Sequence, residues 1–402
     1  MKSVLIVSPD VYSYGAMLVG GVLRDRGYRV RIARGLHPSD VEKREIVGLS
    51  LVSVSHLLGA RGFVEEVKRK EGVKVVVGGP ITQAPELVFG ILPRVDAVVM
   101  GEGEDTAPEL VNAIESGEEL ETVEGIAFLE DGTVVRTSPR DPPELVGRPL
   151  PEIPSDIGHQ DIRGANVYVE THRGCLGSCG FCQVPCLFGR HVRSRPVDEI
   201  VAEVKAFKAK GARRISLFGG TSSQYGSDSP PQEEMFVEML RRVSEVVGAR
   251  NLSVPDLRVD GNSDEILESL KRYTIGFVIF GIESGSNRML VKMRKGITVQ
   301  KIRDGVERAK EAGLEVAGAF IVGYPGESEE DYLQTRELVE ELMLDDYTIS
   351  IADPIVGTPL AQEVISLPEE EIPVFMKDEG KIGSIHGPVS YTHLTLPTKR
   401  IV

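Results

Sequence analysis

The chain has 402 residues, 41% hydrophobic and 27% charged, with a formal net charge of −15. That length leaves room for two or three domains and a sizeable core, while the acidity and the 5% aromatic content without tryptophan speak against a broad phosphate-binding surface or a base-stacking platform, so no nucleic-acid partner is expected. No apolar run approaches the roughly 18–20 residues that span a bilayer, and the apolar stretch after Met1 is too short for a signal peptide, so no membrane partner is expected and the location read from the sequence is cytoplasmic, where thiols stay reduced.

Val4–Ser8 reads as a buried first strand, followed by an amphipathic helix from Ala16 to Arg26 and a strand at Arg29–Ala33. Ile46–Val52, Val73–Val77 and Ala97–Met100 are further short apolar runs with helical segments between them. This alternation predicts a doubly wound, Rossmann-like α/β domain, in which ligands sit beyond the carboxyl ends of the strands. The loops there read Asp10-x-Tyr12-x-x-Gly15, Ser55-x-Leu57, Gly78-Gly79 and Gly101-Glu102. Adjacent glycines let backbone approach a ligand closely.

The four loops together resemble the cobalamin-binding domain that precedes many radical S-adenosylmethionine (SAM) barrels, over residues 1–137. The resemblance implies that Asp10, Tyr12, Gly15, Ser55, Leu57, Gly78, Gly79, Gly101 and Glu102 contact cobalamin. Tyr12 stands where histidine-on proteins carry the cobalt ligand, which leaves the lower face of cobalt unligated or facing a weak oxygen donor. A loop tyrosine packed on the domain, and a general nucleotide site in place of cobalamin, are the alternatives. His56 lies inside the Ser55–Leu57 loop; a lone histidine is read as structural.

Gly125–Glu130 and Thr133–Arg136, joined by Asp131-Gly132, read as a hairpin. A proline-rich linker is expected over 138–160. From 161 to 360 the pattern is again strand then helix: strands at Asn166–Glu170, Arg214–Phe218, Leu252–Val259, Gly276–Ile282, Glu315–Val322 and Tyr347–Ala352, with helices between them. Six such units make a partial (β/α)6 barrel with its site at the carboxyl ends of the strands.

All four cysteines lie between 175 and 186, and Cys175, Cys179 and Cys182 follow C-x3-C-x2-C. Such crowding argues for a metal rather than a disulfide framework. A zinc site using all four thiolates, Cys186 included, is the alternative, although zinc knuckles are usually separated by a longer loop. The spacing, with Phe181 just before the third cysteine, resembles the radical SAM superfamily. That resemblance implies a [4Fe-4S] cluster held by three thiolates, one iron left for SAM, and Cys186 as a bystander. It also implies SAM contacts at Gly219 and Gly220, Arg258, Glu283 and Ser284, and Ile321 and Gly323, with Phe181 nearby. Thr221 departs from the glutamate often found after the glycine pair. Lys292 or Lys295 is a candidate for the SAM carboxylate, exposed helix lysines being the commoner outcome.

Taken together, the likeness is closest to archaeal cobalamin-dependent radical SAM C-methyltransferases, such as the one acting on a glutamine of methyl-coenzyme M reductase. It implies an enzyme that uses SAM, the cluster and cobalamin, with a protein or peptide substrate and an electron donor such as ferredoxin or flavodoxin. A cobalamin-dependent radical SAM cyclase or ring-contracting enzyme, and a cobalamin- or redox-sensing module, are the rivals. Methylthio transfer is disfavoured because residues 1–174 offer no cysteine for a second cluster. Gln224, Tyr225, Tyr324 and Asp353 are candidates to line a substrate pocket or to pack. Residues 361–388 read as the start of a truncated C-terminal region, and 389–402 as a sequencing-adaptor scar.

Overall fold

The computed structural model describes residues 3–227 and 233–367, and the backbone of two short strands at 374–376 and 382–384. The expected break at 389 lies outside the described residues. The chain divides into two compact units, Met1–Val169 with Asp198–Arg214, and Glu170–Val197 with Ile215–Val402.

The first unit holds seven strands: β1 (Ser3–Ser8), β2 (Arg29–Arg34), β3 (Ile46–Ser50), β4 (Lys74–Gly78), β5 (Ala97–Val99), β6 (Ile126–Glu130) and β7 (Thr133–Arg136). They form one sheet in the order β2-β1-β3-β4-β5-β6-β7. The first five run parallel and the last two are antiparallel. Val4 to Val7, Val47 and Val75 are 5% exposed or less, as expected for strands covered on both faces. The strand order reverses between β1 and β3, which makes their carboxyl ends the topological switch point. Helices α1 (Tyr14–Asp25), α2 (Val54–Val67), α3 (Pro85–Ile91) and α4 (Gly103–Ser116) connect the strands. Ser13 and Ser53 cap α1 and α2 by accepting from Ala16 N and His56 N, so each helix starts immediately after a loop at that edge.

The segment expected as a linker packs on this unit. A Cβ on Gly21 of α1 would stand 2.2 Å from the Leu150 carbonyl oxygen. Glu152 N donates to Met17 O, and Arg24 bonds the Glu152 carboxylate at 2.7 Å. Glycine at position 21 is what lets the Leu150-Pro151 backbone approach α1 this closely.

Strand β8 (Val167–Glu170) leads into β9 (His172–Arg173) and the cysteine loop, followed by α5 (Val184–Phe188), β10 (Arg193–Ser194) and α6 (Val197–Ala209). From Ile215 the second unit holds β11 (Ile215–Phe218), α7 (Glu233–Val247), β12 (Leu252–Ser253), β13 (Asp256–Arg258), α8 (Asp264–Tyr273) and β14 (Phe277–Glu283). Then come α9 (Asn287–Lys292), α10 (Val299–Glu311), β15 (Glu315–Val322), α11 (Glu329–Leu342), β16 (Asp346–Ile351) and α12 (Pro359–Ile365). β13-β14-β15-β16 is a parallel sheet, and β12 pairs in parallel with β11.

The third strand is not continuous as expected. It breaks at Val254-Pro255, and the two halves have different partners. Proline has no N–H to donate to a ladder; the Pro255 carbonyl instead accepts from Ile279 N at 2.8 Å. The sequence pattern also left α9 unassigned, because six residues are too few to show a period.

Candidate cluster and cofactor sites

The cysteine loop hangs between β9 and α5. Its entry is fixed by Cys175 N donating to Gly189 O (3.3 Å) and Leu176 N to Gln224 Oε1 (3.0 Å). Its middle is fixed by Gly180 N donating to Met293 O and Leu360 N donating to Gly180 O. Gln224 therefore serves the loop. Tyr225 packs, 1% exposed with its hydroxyl on Arg195 O.

Cys175 is buried, Cys179 and Cys182 are half-buried and Cys186 is exposed. The sulfurs of Cys175 and Cys179 flank one glycine: a Cβ on Gly177 would lie 3.3 Å from one and 3.9 Å from the other. Burial pushes the Cys182 thiol up to about 11 and raises that of Cys179. Lys295 and Arg258 act against this at Cys179 by favouring the thiolate. Thiols so placed need a cation to ionise, and iron supplies one. Cys186 is exposed, its thiol donating to Cys182 O at 3.7 Å. Among the described residues no three acidic, histidine or cysteine side chains converge on a single ion. A four-iron cluster gives each thiolate its own iron, so its ligands stand further apart than those of one zinc ion. Cys182 feels the charges of both Cys179 and Cys175, so the three thiols share one neighbourhood, the donor set that such a cluster would take.

Around these sulfurs the carboxyl ends of the strands bring together most of the expected residues. Arg258, at the end of β13, is held by Asp260 (2.9 and 3.2 Å), and its Nη1 lies 3.7 Å from the position of a Gly177 Cβ. Glu283, at the end of β14, has φ 68° and sits at a register shift in the β14–β15 ladder. A non-glycine residue in that conformation is strained, and strain of this kind collects at functional sites. Its Oε1 accepts from Lys295 Nζ at 2.8 Å. Lys295 is thus buried, 6% exposed, contrary to the exposed outcome expected for it. Lys292 instead pairs with Glu363 at 3.0 Å.

Phe181 and Ile321 pack in one apolar cluster with Met289, Met293, Tyr324 and Leu360. Gly323, φ 72°, donates its N–H to the buried Glu327 carboxylate. Ser284 is fully buried and its hydroxyl meets Thr335 Oγ1 at 3.0 Å, so in this structure it serves the fold. Gly219 and Gly220 follow β11, with Thr221 Oγ1 3.5 Å from Cys175 Sγ. Thr221 thus stands beside Cys175, where a glutamate was the more familiar residue.

In the first unit, the loops after β1, β3, β4 and β5 open at one edge of the sheet. A Cβ added at Gly15, Gly78 or Gly101 would meet nothing within 4 Å, which is room for a ligand. Gly79 differs: with φ 99°, its Cβ would stand 2.5 Å from Leu51 O. Ser8, Ser13 and Ser50 join hydroxyls across the switch point at 3.1 and 2.9 Å. Asp10 Oδ2 meets His56 Nε2 at 2.8 Å, and His56 Nδ1 accepts from Val52 N, so both ring nitrogens are engaged. Ser55 is exposed and Leu57 is fully buried; Leu57 therefore anchors α2 and offers no surface. Tyr12 is 8% exposed, with its hydroxyl on Asp156 at 2.9 Å and Arg34 over its ring. Burial first, then the Asp156 carboxylate, push this phenol above its usual range.

The Radical SAM superfamily pattern matches residues 169–339, and the B12 binding domain matches residues 4–111. The chain is 46% identical, over 94% of its length and 83% of the relative's, to a Methanocaldococcus jannaschii protein with the provisional name methylthiotransferase. The chain belongs to the radical SAM superfamily and carries a B12-binding domain. An uncharacterized methyltransferase of Pyrococcus horikoshii is 32% identical over 83% of this radical SAM protein and 74% of its own length. Among solved structures, the radical SAM methyltransferase TsrM of Kitasatospora setae, with cobalamin and a [4Fe-4S] cluster bound, aligns with TM-score 0.73. That alignment covers 90% of this chain and 75% of TsrM at 18% identity. The cobalamin-dependent radical SAM enzyme OxsB aligns with TM-score 0.74 over 96% of this chain and 64% of OxsB, at 16% identity. At such identities the likeness is one of fold: a B12-binding domain followed by a radical SAM domain. No helix among the described residues is long and apolar enough to cross a membrane.

Proposed function

We propose that this radical SAM enzyme is a cobalamin-dependent methyltransferase that adds a methyl group to an unactivated carbon. The observation that carries this reading is the pairing, in one chain, of the Cys175–Cys182 loop facing Arg258 and Lys295 with a switch-point edge left open at Gly15, Gly78 and Gly101. When bound, the cofactors supply the hard chemistry: reductive cleavage of SAM to a carbon radical, and a methyl group carried on cobalt.

The protein's own residues bind and orient. Cys175, Cys179 and Cys182 hold the irons, and Arg258 and Lys295 offset their negative charge. The Gly219-Gly220 backbone takes the amino end of SAM, the free oxygen of Glu283 takes ribose hydroxyls, and Phe181 and Ile321 flank the adenine. Loops at Asp10–Gly15, Gly78 and Gly101-Glu102 hold cobalamin. Electrons come from a ferredoxin or flavodoxin, and the substrate class is a peptide or protein, a glutamine of methyl-coenzyme M reductase being the first to try.

A second reading, methylthio transfer, is favoured by the provisional name of the Methanocaldococcus relative. Against it, all four cysteines of residues 1–402 lie in 175–186, so the first unit brings no thiols for a sulfur-donating cluster. Product mass separates the readings. Peptide incubated with reduced enzyme, SAM and methylcobalamin gains one CH2 unit under the proposal. A gain of a methylthio group, or a cyclised product without added carbon, overturns it.

A further inference from the structure

The segment His172–Cys175 and the turn Gly219–Thr221 lie against each other almost residue by residue. The His172 imidazole covers Gly219: a Cβ there would stand 2.0 Å from Cε1, 2.3 Å from Nδ1 and 2.4 Å from Nε2. The Gly174 carbonyl oxygen lies 2.1 Å from the position of a Gly220 Cβ, with the Cys175 Cβ at 2.8 Å. Thr221 Oγ1 then meets Cys175 Sγ at 3.5 Å. These three contacts fix one cluster sulfur relative to the backbone of the glycine turn.

The ring has nowhere to retreat. His172 is 1% exposed, and Tyr225, equally buried, tilts toward it at 6.3 Å between ring centres. Thr171 Oγ1 contacts Nδ1 at 2.9 Å and the Phe218 carbonyl at 3.0 Å, so the end of β11 is tied to the same ring. Burial holds the imidazole neutral, its pKa lowered to about 4, against the opposing effects of the Glu170 carboxylate and a hydrogen bond to the Thr221 backbone.

We propose that His172 is a positioning residue for the SAM site. Its ring is the platform that sets the height of the Gly219-Gly220 backbone beside Cys175, where the glycine turn would meet the methionine end of SAM. The proposal rests on reading the loop as a cluster site and the turn as its SAM-binding neighbour. It also explains a difference between the two glycines. The obstacle to a side chain at Gly219 is a side chain, which can be trimmed, whereas the obstacle at Gly220 is backbone.

A size-exchange cycle in the full chain, reconstituted anaerobically with iron and sulfide, tests this. Gly219→Ala should keep its iron but bind SAM about tenfold more weakly and lose the SAM-induced change in the electron paramagnetic resonance of the reduced cluster. Gly219→Ala with His172→Ala should return to within about threefold of wild type and regain that spectral change. His172→Ala alone should weaken SAM binding with iron content intact, and this arm stands even where Gly219→Ala does not fold. Normal SAM binding in either single variant, or a double variant no better than Gly219→Ala, overturns the proposal. Thermal unfolding of the iron-free proteins reports the packing without SAM. A wild type that holds its cluster but shows no SAM-induced change would instead sink the functional reading.

Discussion

Lys295 Nζ lies 2.8 Å from Glu283 Oε1, with side chains only 7% and 8% exposed. Both charges are within reach of Cys179, where Lys295 favours the thiolate and Glu283 opposes it. Removing one partner of such a pair strands the other, which typically costs about 3–5 kcal/mol, whereas removing both costs less. Lys295→Met should therefore lower the thermal midpoint more than Lys295→Met combined with Glu283→Gln. A calorimetric cycle of the three variants checks this; equal loss in single and double variants would show that the pair is not coupled.

The cysteines should divide three to one. Alanine at Cys175, Cys179 or Cys182 is expected to abolish cluster formation, whereas Cys186→Ala, at an exposed sulfur directed toward the Cys182 carbonyl, should keep a four-iron cluster. Iron and sulfide analysis with Mössbauer spectra decides it. Iron lost from the Cys186 variant would make that residue a ligand.

Gly78 and Gly79 are adjacent yet should respond in opposite ways. A methyl at Gly79 meets the Leu51 carbonyl and forces a left-handed backbone on alanine, so Gly79→Ala should destabilise the first unit by more than about 1 kcal/mol. Gly78→Ala meets nothing and should fold normally while weakening cobalamin binding, read from the absorbance of bound hydroxocobalamin. Unchanged cobalamin affinity in Gly78→Ala would move the ligand away from that loop.

Glu327 supplies a pH dependence. Burial raises its carboxyl to about 7, although the Gly323 N–H favours the ionised form. The folded chain thus holds this proton more tightly than the unfolded chain, whose carboxyl titrates near the usual glutamate range. Stability from this group is full below about pH 4.5 and is lost as pH rises to about 7. Glu327→Gln should abolish the trend. Urea midpoints of the two proteins should diverge from pH 5 to pH 8 in favour of the variant, by about 2–3 kcal/mol at the upper end. A constant difference across that range would contradict the assignment.

How much of this was readable in the chain depends on how local each signal is. C-x3-C-x2-C is one loop, so its three candidate cluster ligands stand out in the sequence, and β15, whose bounds match expectation, is a long and mostly apolar run followed by Gly323. The break at Pro255 was also written in the sequence, since proline disfavours a continuous central strand. Other features depend on partners far along the chain. Lys295 looks like a surface lysine until it is found buried against Glu283, and His172 gains meaning only from Gly219. Tyr12 occupied the expected loop position, but its hydroxyl is engaged by Asp156, which no local pattern announces.

The most direct test of the account is a single anaerobic turnover experiment. Full-length protein reconstituted with iron, sulfide and methylcobalamin is reduced and given SAM together with peptides covering the glutamine region of methyl-coenzyme M reductase, with unrelated peptides as controls. Methyl transfer would yield 5′-deoxyadenosine and S-adenosylhomocysteine in the same reaction, one SAM being needed as radical source and another to remethylate cobalt. Formation of 5′-deoxyadenosine with neither S-adenosylhomocysteine nor a methylated product would contradict methyl transfer and leave radical rearrangement or cyclisation in its place.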